Sequence, residues 1–410
     1  MERMAKRTLR DKLAILSDAA KYDASCASSA TSKRDSRKGG LGSTDGHGIC
    51  HAYAPDGRCI SLLKILMTNF CIYDCAYFIN RVSSNVERAR FTPEEVVELT
   101  LEFYRRNYIE GLFLSSGVIK SPDETMGQMV RIARELRTVH LFKGYIHLKT
   151  IPDAAPELLE EAGKWADRLS INIEMPTDAG VERFAPEKDP KTIRKAMADT
   201  RLRREEYEEK SFKGRRKGRF APAGQSTQLI VGADGADDKA ILANSAKLYG
   251  SYGLKRVYYS AFSPIPDSSS ALPLKAPPLL REHRLYQADW LLRFYDFRAE
   301  ELARNGMLDL DIDPKLAWAL QHRGLFPLDV NSASREALLR VPGFGTRTVD
   351  RLLAIRRHKR LRWDDLKRIG ANLRSAKAFV EMPDWHPSAL TDSATLRERF
   401  APPAQQLQLI

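Results

Sequence analysis

The sequence predicts an α/β fold in which a partial (β/α)6 TIM-like barrel precedes an all-helical C-terminal module. From Ile60 to Ser260, short apolar runs alternate with longer amphipathic stretches, the pattern of βα units around a parallel sheet. After Leu279 the strand-like runs stop and helical periodicity continues. The length of 410 residues allows a domain with a large core and a second, smaller domain.

Composition narrows the class of protein. Charged residues make up 29% of the chain, and no apolar run approaches the ~20 residues that a membrane-spanning helix needs, so we expect a cytoplasmic protein without a membrane segment. The charged start of the chain lacks the apolar stretch of a signal peptide. Five cysteines, an odd number, argue against a disulfide framework.

We divide the chain into five segments. Residues 1–45, rich in Ser, Gly and charge, are predicted to be a flexible basic N-terminal arm. The barrel occupies residues 46–265. A proline-rich linker and helices follow in residues 266–325, a compact helical module in residues 326–385, and a tail in residues 386–410.

Six strands are predicted in the barrel, at residues 62–67, 109–114, 145–149, 168–174, 227–231 and 255–260. The helix after the first strand has a clear start, because Thr92 can cap it and Pro93 suits its first turn. In the fourth strand, Ser170, Asn172 and Glu174 alternate with apolar residues. This polar face indicates a barrel with a polar interior near the strand ends; an edge strand with one wet face is the alternative.

The cysteines are clustered rather than scattered. Four of the five fall close together: Cys50, Cys59, Cys71 and Cys75. The last two occupy the loop directly after the first strand, and α/β folds place chemistry in such loops. Thiolates on a short loop suit an iron–sulfur cluster. The pattern therefore favours ligation of a metal or cluster over buried thiols with no ligand role.

The C-terminal module carries a second motif. A Pro-Gly-Phe-Gly turn at residues 342–345 separates two helical stretches, and a degenerate copy lies around residue 370. Backbone N–H groups at the start of the second helix would form an anion site. Residues 335–377 contain 13 Lys and Arg against 4 Asp and Glu, so we predict a nucleic-acid site. Its candidate residues are Gly343, Gly345, Thr346 and Arg347. A hairpin that mediates protein contacts is the alternative.

These motifs resemble those of a known superfamily. The loop with Cys71 and Cys75 is similar to the cluster loop of the radical S-adenosylmethionine (SAM) enzymes, which carry Cys-x3-Cys-x2-Cys; Phe78 stands where the third cysteine is expected. The runs CIYDCAY and EFYRRNYIEGLFLSSG resemble a bacterial subgroup linked to DNA modification or repair, over residues 46–380. The turn at residues 342–345 resembles helix-hairpin-helix domains, which grip the DNA backbone without reading sequence.

The resemblance implies two cofactors, a [4Fe-4S] cluster and SAM. Cys71 and Cys75 would hold the cluster. Either Cys59 or Cys50, or a water, histidine or exogenous ligand, would replace the third thiolate; loss of the cluster is the remaining alternative. The SAM contacts implied by the family fall on Tyr77, Ser115, Ser116, Gly117, Asn172, Glu174 and Gln228. Of these, the aromatic ring of Tyr77 would lie against the adenine.

The function that the resemblance implies is a radical SAM enzyme acting on DNA, in modification or repair, through a 5′-deoxyadenosyl radical. The implied partners are DNA, an electron donor and a protein related to uracil-DNA glycosylases. Two alternatives stay open: a non-catalytic DNA-binding protein that has lost its cluster, and a radical SAM enzyme that modifies RNA.

Overall fold

The computed structural model describes residues 7–20, 49–53, 59–212, 219–265 and 269–401. The chain divides into two compact units. The first, which we call the sheet unit, comprises Met1–Gly235 and Lys247–Pro277. The second, the helical unit, comprises Ala236–Ala246 and Pro278–Ile410.

A seven-stranded sheet organises the sheet unit. Its strands follow chain order across the sheet: β1 (Ile49–Tyr53), β2 (Cys59–Leu66), β3 (Gly111–Ser115), β4 (Tyr145–Lys149), β5 (Arg168–Ser170), β6 (Gln225–Val231) and β7 (Arg256–Ala261). β1 runs antiparallel to β2, and every later neighbour pairs in parallel. The predicted α/β class, with a mostly parallel, curled half-barrel sheet, is therefore confirmed. β1 was not among the predicted strands.

β5 is shorter than the strand predicted at residues 168–174. Beyond Ser170 the ladder with β6 is interrupted, and it resumes only as a single bridge between Glu174 and Leu229. The residues between them still lie close to β6, because the side chain of Asn172 donates a hydrogen bond to that of Gln228 at 3.3 Å. The chain therefore leaves regular strand geometry at the edge of the sheet where the loops begin.

Helices connect the parallel strands. The helices of this part of the chain are α1 (Leu9–Ala19), α2 (Pro93–Arg105), α3 (Pro122–Thr138), α4 (Pro156–Trp165), α5 (Asp178–Phe184), α6 (Pro190–Phe212) and α7 (Asp238–Tyr252). α2 begins as predicted, because Thr92 and Glu95 form a reciprocal capping box that satisfies two backbone N–H groups. No helix in the described segments is long and apolar enough to cross a bilayer.

Part of the predicted flexible arm is the packed helix α1. Leu16 is fully buried, and Lys12 Nζ lies 2.7 Å from Oε1 of Glu95 on α2. Arg7 donates a 2.6 Å hydrogen bond to the carbonyl of Arg88. Residues 7–20 are therefore a packed part of the sheet unit rather than a flexible arm. The rest of the predicted arm lies outside the described residues.

Polar side chains fill the interior of the curled sheet below the strand ends. His147 Nε2 forms a hydrogen bond with the hydroxyl of Ser170, which lies 2.9 Å from the hydroxyl of Ser226. Burial, together with the positive charges of Arg168 and Lys64, lowers the pKa of His147 well below its usual range. The interior is thus polar, as the alternation in residues 168–174 indicates, and His147 is neutral there.

The helical unit contains two pairs of helices, and a tight turn joins the two helices of each pair. Besides the first part of α7, its α-helices are α8 (Leu279–Phe294), α9 (Ala299–Leu302), α10 (Pro314–Gln321), α11 (Arg335–Arg340), α12 (Thr346–Arg356), α13 (Trp363–Arg368) and α14 (Leu373–Ala376). Gly343, between α11 and α12, has a φ of +83°, and Gly370, between α13 and α14, has a φ of +82°. Glycine adopts this conformation without a steric penalty. The two turns meet, since the N–H of Asn372 donates a 3.2 Å hydrogen bond to the carbonyl of Gly343.

This unit is not entirely helical, in contrast to the sequence prediction. β8 (Leu328–Asp329) pairs in parallel with β9 (Val380–Glu381). Strands of two residues leave no periodic pattern in a sequence, so their pairing is decided by tertiary contacts. The assignment of the paired helices to the helix-hairpin-helix class stays a prediction.

Candidate functional site

A cavity of about 530 Å³ lies at the C-terminal ends of the strands in the sheet unit. Its wall is made by the loop after β2, which we call the cysteine loop (residues 68–91), by the segments that follow β3, β4 and β5, and by the ends of β6 and β7. Because carboxyl ends of parallel strands meet at one edge of a sheet, residues far apart in the chain converge here. The volume is in the range of small-molecule sites.

The cavity gathers most of the residues that the sequence analysis assigned to cofactors. The residues of that set that line it are Cys71, Cys75, Tyr77, Ser116, Gly117, Asn172, Glu174 and Gln228. Ser115, at the end of β3, is buried behind this wall, and its hydroxyl has no hydrogen-bond partner among the described residues. These residues are far apart in the chain, and the tertiary fold brings the predicted SAM and cluster positions to one cavity.

The structure separates the other two candidate cysteines from the cavity. Cys50 on β1 is buried in a core cluster, and its backbone pairs with Leu62, four residues before the end of β2. Cys59 begins β2, so its backbone lies roughly 23 Å along the strand from the end that carries the cysteine loop. Neither backbone position brings a third cysteine to the loop. As the two cysteines lie in this structure, neither is placed to replace the missing ligand, and their assignment as a replacement stays a prediction.

The cysteine loop is held in shape by contacts within the protein. Arg88 donates hydrogen bonds to four carbonyls, those of Asn69, Asn80, Arg81 and Ser84. The side-chain oxygen of Asn69 accepts a 2.7 Å hydrogen bond from the N–H of Ala89. A guanidinium carries five N–H donors in a fixed plane, so one arginine can join several turns of a loop. Arg88 therefore acts as a clasp at the base of the loop.

The two thiols of this loop lie in different surroundings. Cys75 is buried, and burial raises the pKa of its thiol to about 11, whereas Cys71 is partly exposed. Phe78, at the third position of the family pattern, packs partly buried against the core cluster that contains Cys75 and Tyr77. A phenyl ring cannot ligate iron. The loop therefore offers two thiols.

A complete cluster site is not formed by the residues present. In the radical SAM pattern three thiolates hold the cluster, and a thiol with a raised pKa must also lose its proton to become a ligand. Within the described segments, no group of three or more His, Cys, Asp and Glu side chains is placed to hold a metal ion. Cys71 and Cys75 alone do not fit the three-cysteine ligand set, so we derive no reaction step through a cluster.

A buried charge pair lies in the cavity wall. Lys188 Nζ is 2.5 Å from Oε1 of Glu174, and the two side chains are only 19% and 7% exposed. Burial by itself lowers the pKa of Lys188, but the negative charge of Glu174 outweighs it and the pKa is raised. Burial, then the charges of Glu174 and Cys75, raise the pKa of Tyr77 well above its usual range. The lysine is thus protonated and the phenol neutral.

The buried hydroxyl of Tyr77 is a polar atom aimed into this region. It makes no hydrogen bond of good geometry with the described residues, although it lies close enough to Glu174 and Cys75 for both groups to raise its pKa. A buried hydroxyl without a partner carries a free-energy cost that a bound polar ligand can relieve. The unsatisfied hydroxyl and the amide groups of Asn172 and Gln228 fit a polar, nucleoside-like ligand such as SAM.

Tyr73, Asp153 and Lys188 also line the cavity, and they were not among the predicted site residues. Tyr73 donates a 3.2 Å hydrogen bond to Asp153. Lys188 comes from the short connection between α5 and α6, and Asp153 from the turn after β4. Such connections have no periodicity, so no local pattern marked Asp153 and Lys188. Tyr73 lies within the run CIYDCAY, which could have indicated it.

The predicted nucleic-acid residues lie together in one turn of the helical unit: Gly343, Gly345, Thr346 and Arg347. The N-cap of α12 is Gly345, which has no side chain to bond the first N–H groups of the helix. Arg347 is exposed. Behind the turn, buried Lys315 donates a 2.6 Å hydrogen bond to the carbonyl of Phe344. The turn is therefore supported from the interior and presents its backbone N–H groups and Arg347 outward.

Comparisons with known proteins give weak matches to solved structures only. No protein-family model matches the chain, and no curated protein matches it. HydG, a maturase of the [FeFe]-hydrogenase, has 14% identity and a TM-score of 0.40 over 55% of this chain and 48% of its own. HydG from Carboxydothermus hydrogenoformans has 12% identity and a TM-score of 0.40, over 55% and 50% of the two chains.

A third solved structure has similar values. Methylornithine synthase (PylB) has 13% identity and a TM-score of 0.40, and the match covers 61% of this chain and 71% of that one. The chain spans about half the length of the two HydG chains. Similarity at this level is too low to transfer a function, which has to be argued from the residues of the site.

Proposed function

We propose that this chain is an enzyme of the radical SAM class that acts on DNA, with SAM bound in the cavity of the sheet unit. One observation carries the proposal. The positions at which the sequence resembles the SAM and cluster contacts of that class are dispersed from residue 71 to residue 228, yet most of them line a single cavity. The fold therefore brings together the thiols, the aromatic ring and the polar side chains that a SAM site of that class requires.

The chemistry of the wall supports SAM as the ligand. SAM presents an adenine, a ribose with two hydroxyls, and an amino acid group with one positive and one negative charge. The cavity offers an aromatic ring in Tyr77, side-chain amides in Asn172 and Gln228, and charges of both signs in Glu174 and Lys188. A few convergent polar groups in a partly apolar cavity are typical of small-molecule sites.

The proposal of catalysis requires a third cluster ligand in addition to Cys71 and Cys75. The described residues do not supply it, so the ligand would have to come from another part of the chain or from outside the protein. Phe78 favours a second candidate function on the same evidence: a DNA-binding protein that keeps the fold and the SAM-like cavity but has lost its cluster.

DNA as the partner is supported by the helical unit. The turn at residues 342–345 places backbone N–H groups at the start of a helix, beside exposed Arg347. Residues 335–377 carry nine more basic than acidic side chains. Positive charge and helix N-termini are the usual contacts to phosphate oxygens. We therefore propose backbone contacts to DNA without recognition of sequence.

The two candidates are separated by anaerobic reconstitution with iron and sulfide. The enzyme requires about four irons per chain, the content of one [4Fe-4S] cluster, and binding of SAM. A colourless protein that binds DNA supports the second candidate. Phe78→Cys restores the third position and is expected to raise the iron content if the loop is otherwise intact. Phe78→Ser is the matched control, because it removes the ring without adding a thiol.

The nucleic-acid part is tested by the salt dependence of binding. If the basic turn contacts phosphates, log Kd should rise linearly with log salt concentration, and Arg347→Ala should reduce the slope by about one. Duplex DNA is compared with structured RNA in the same titration. Tighter binding to the RNA would replace DNA by RNA as the substrate, and equal, salt-independent binding would contradict a phosphate site.

A further inference from the structure

We propose that Lys188 is a positioning residue, which holds the carboxylate of Glu174 in the cavity so that it can receive the hydroxyl groups of the ligand's ribose. This inference rests on the proposed function, in which the cavity binds SAM. Lys188 has no counterpart among the motifs found in the sequence. It is assigned by three observations: the backbone of Glu174, the burial of the ion pair, and the contacts of the segment that carries Lys188.

The backbone of Glu174 is held in an unfavourable conformation. Its φ is +67°, in the left-handed region that is sterically unfavourable for a residue with a side chain. Backbone hydrogen bonds to β6 maintain it on both sides. The N–H of Glu174 donates to the carbonyl of Gln228 at 3.2 Å, and the carbonyl of Glu174 accepts from the N–H of Ile230 at 2.7 Å. Strain of this kind persists where neighbouring structure enforces it and is concentrated at ligand sites. Here it accompanies the turn of the chain beyond β5, where Glu174 lines the cavity.

The carboxylate at this position needs a partner. Its side chain is 7% exposed, and an unpaired buried charge is strongly unfavourable. Lys188 supplies the opposite charge from 14 residues further along, with Nζ 2.5 Å from Oε1. The ammonium of Lys188 donates to one carboxylate oxygen and fixes the position of the carboxylate. A carboxylate can accept several hydrogen bonds, so Glu174 can still accept hydrogen bonds from hydroxyl groups.

The segment that carries Lys188 also supports the cysteine loop. The carbonyl of Phe184 accepts a 2.7 Å hydrogen bond from the N–H of Ala76, and Oε1 of Glu187 accepts a 2.9 Å bond from the N–H of Asp74. Residues 184–188 therefore contact both the cysteine loop and Glu174, which lies in the segment after β5.

Three variants separate positioning from a merely structural role. Lys188→Met removes the charge at similar length. Lys188→Arg keeps the charge. The double variant Glu174→Met/Lys188→Met removes both charges and the carboxylate oxygens, so that no unpaired charge is left buried. Binding of S-adenosylhomocysteine, which shares the adenosine of SAM, is measured by calorimetry, and stability is followed as the urea midpoint.

We expect Lys188→Met to lower both the urea midpoint and the affinity for S-adenosylhomocysteine, the latter by about tenfold or more. Lys188→Arg should recover most of the affinity. The double variant should recover the urea midpoint but not the affinity, because the carboxylate that receives the ribose is gone. If the double variant recovered both the urea midpoint and the affinity, the positioning role would be overturned, because the loss of affinity in Lys188→Met would then follow from the loss of stability alone.

The outcome also distinguishes this inference from the proposed function. If the unaltered protein binds S-adenosylhomocysteine and Lys188→Met binds it equally well, the role of Lys188 is wrong and the SAM site stands. If the unaltered protein binds neither SAM nor S-adenosylhomocysteine, the proposed function fails and this inference fails with it.

Discussion

Tyr73 and Asp153 are joined by a 3.2 Å hydrogen bond from the phenol to the carboxylate, although 80 residues separate them in the chain. The bond links the cysteine loop to the turn after β4, along the cavity wall. Burial and the negative charge of Asp153 raise the pKa of Tyr73, so the phenol keeps its proton and remains a donor. The contact therefore limits how far the loop can move away from β4.

We expect Tyr73→Phe to loosen this side of the cavity. The change removes the hydrogen bond to the half-buried carboxylate of Asp153, at a cost of about 1 to 2 kcal/mol. Cys71, which is partly exposed, should then be alkylated faster by iodoacetamide, as measured by mass spectrometry. Asp153→Asn retains an acceptor oxygen and should react at nearly the unaltered rate. Identical rates for all three proteins would show that the bond does not restrain the loop.

The clasp made by Arg88 is expected to be specific to arginine. Arg88→Lys leaves the charge but cannot reach four carbonyls at once, so several of them lose a partner and the free energy of unfolding falls by roughly 2 to 4 kcal/mol. Hydrogen exchange in residues 69–89 should accelerate. Arg90→Lys is the matched control, because Arg90 is exposed and its side chain donates one hydrogen bond within the described part of the chain, to Gln128. Similar exchange in both variants would contradict the clasp.

Two neighbouring glycines should behave differently when changed to alanine. At Gly343 the φ is +83° and a Cβ would lie 2.5 Å from the carbonyl oxygen of Asn372, so Gly343→Ala should destabilise the helical unit by at least about 2 kcal/mol. At Gly345 the nearest atom to a Cβ is the hydroxyl of Tyr295 at 3.6 Å, an ordinary contact.

Gly345→Ala should therefore keep its stability to within about 0.5 kcal/mol and lose affinity for duplex DNA, because a methyl group hinders close approach to the helix start. Urea unfolding and fluorescence anisotropy with labelled DNA measure the two effects. Unchanged DNA binding by Gly345→Ala would remove this turn from the proposed interface.

Lys315 predicts a pH dependence of stability. Burial lowers the pKa of its ammonium to about 7, well under the value of 10.5 expected in the unfolded chain. Between these values the unfolded state binds more protons, so this group makes stability rise with pH, by at most about 1.4 kcal/mol per unit, above pH 7. Below pH 7 both states are protonated and the contribution is constant.

The measurement compares urea midpoints of the unaltered protein and Lys315→Met from pH 6 to pH 9. The difference between the two proteins should grow in favour of the unaltered protein above pH 7 and be flat below it. A difference that is independent of pH would mean that Lys315 is not forced to titrate near neutrality in the folded state.

Several features of this protein are determined by local sequence. The alternation of apolar runs and amphipathic stretches specifies parallel βα units, because strands and helices impose different periods on buried side chains. The cap at Thr92 and Pro93 positions the start of α2 by backbone hydrogen bonding between residues three apart. Gly343 is likewise required by its own backbone conformation. Such features need no knowledge of distant contacts.

Other features were decided only when distant segments met. β1 joined β2 in antiparallel fashion and carried Cys50 into a core cluster, away from the cavity. Lys188 pairs with Glu174 because the fold brings the connection between α5 and α6 next to the segment that follows β5. These outcomes depend on packing between segments that are far apart in the chain. The periodicity of a short stretch of sequence carries no information about such contacts. The sequence by itself determined the six parallel strands and placed two thiols after the first of them; the tertiary structure decided the pairing of β1, β8 and β9 and which side chains surround the thiols.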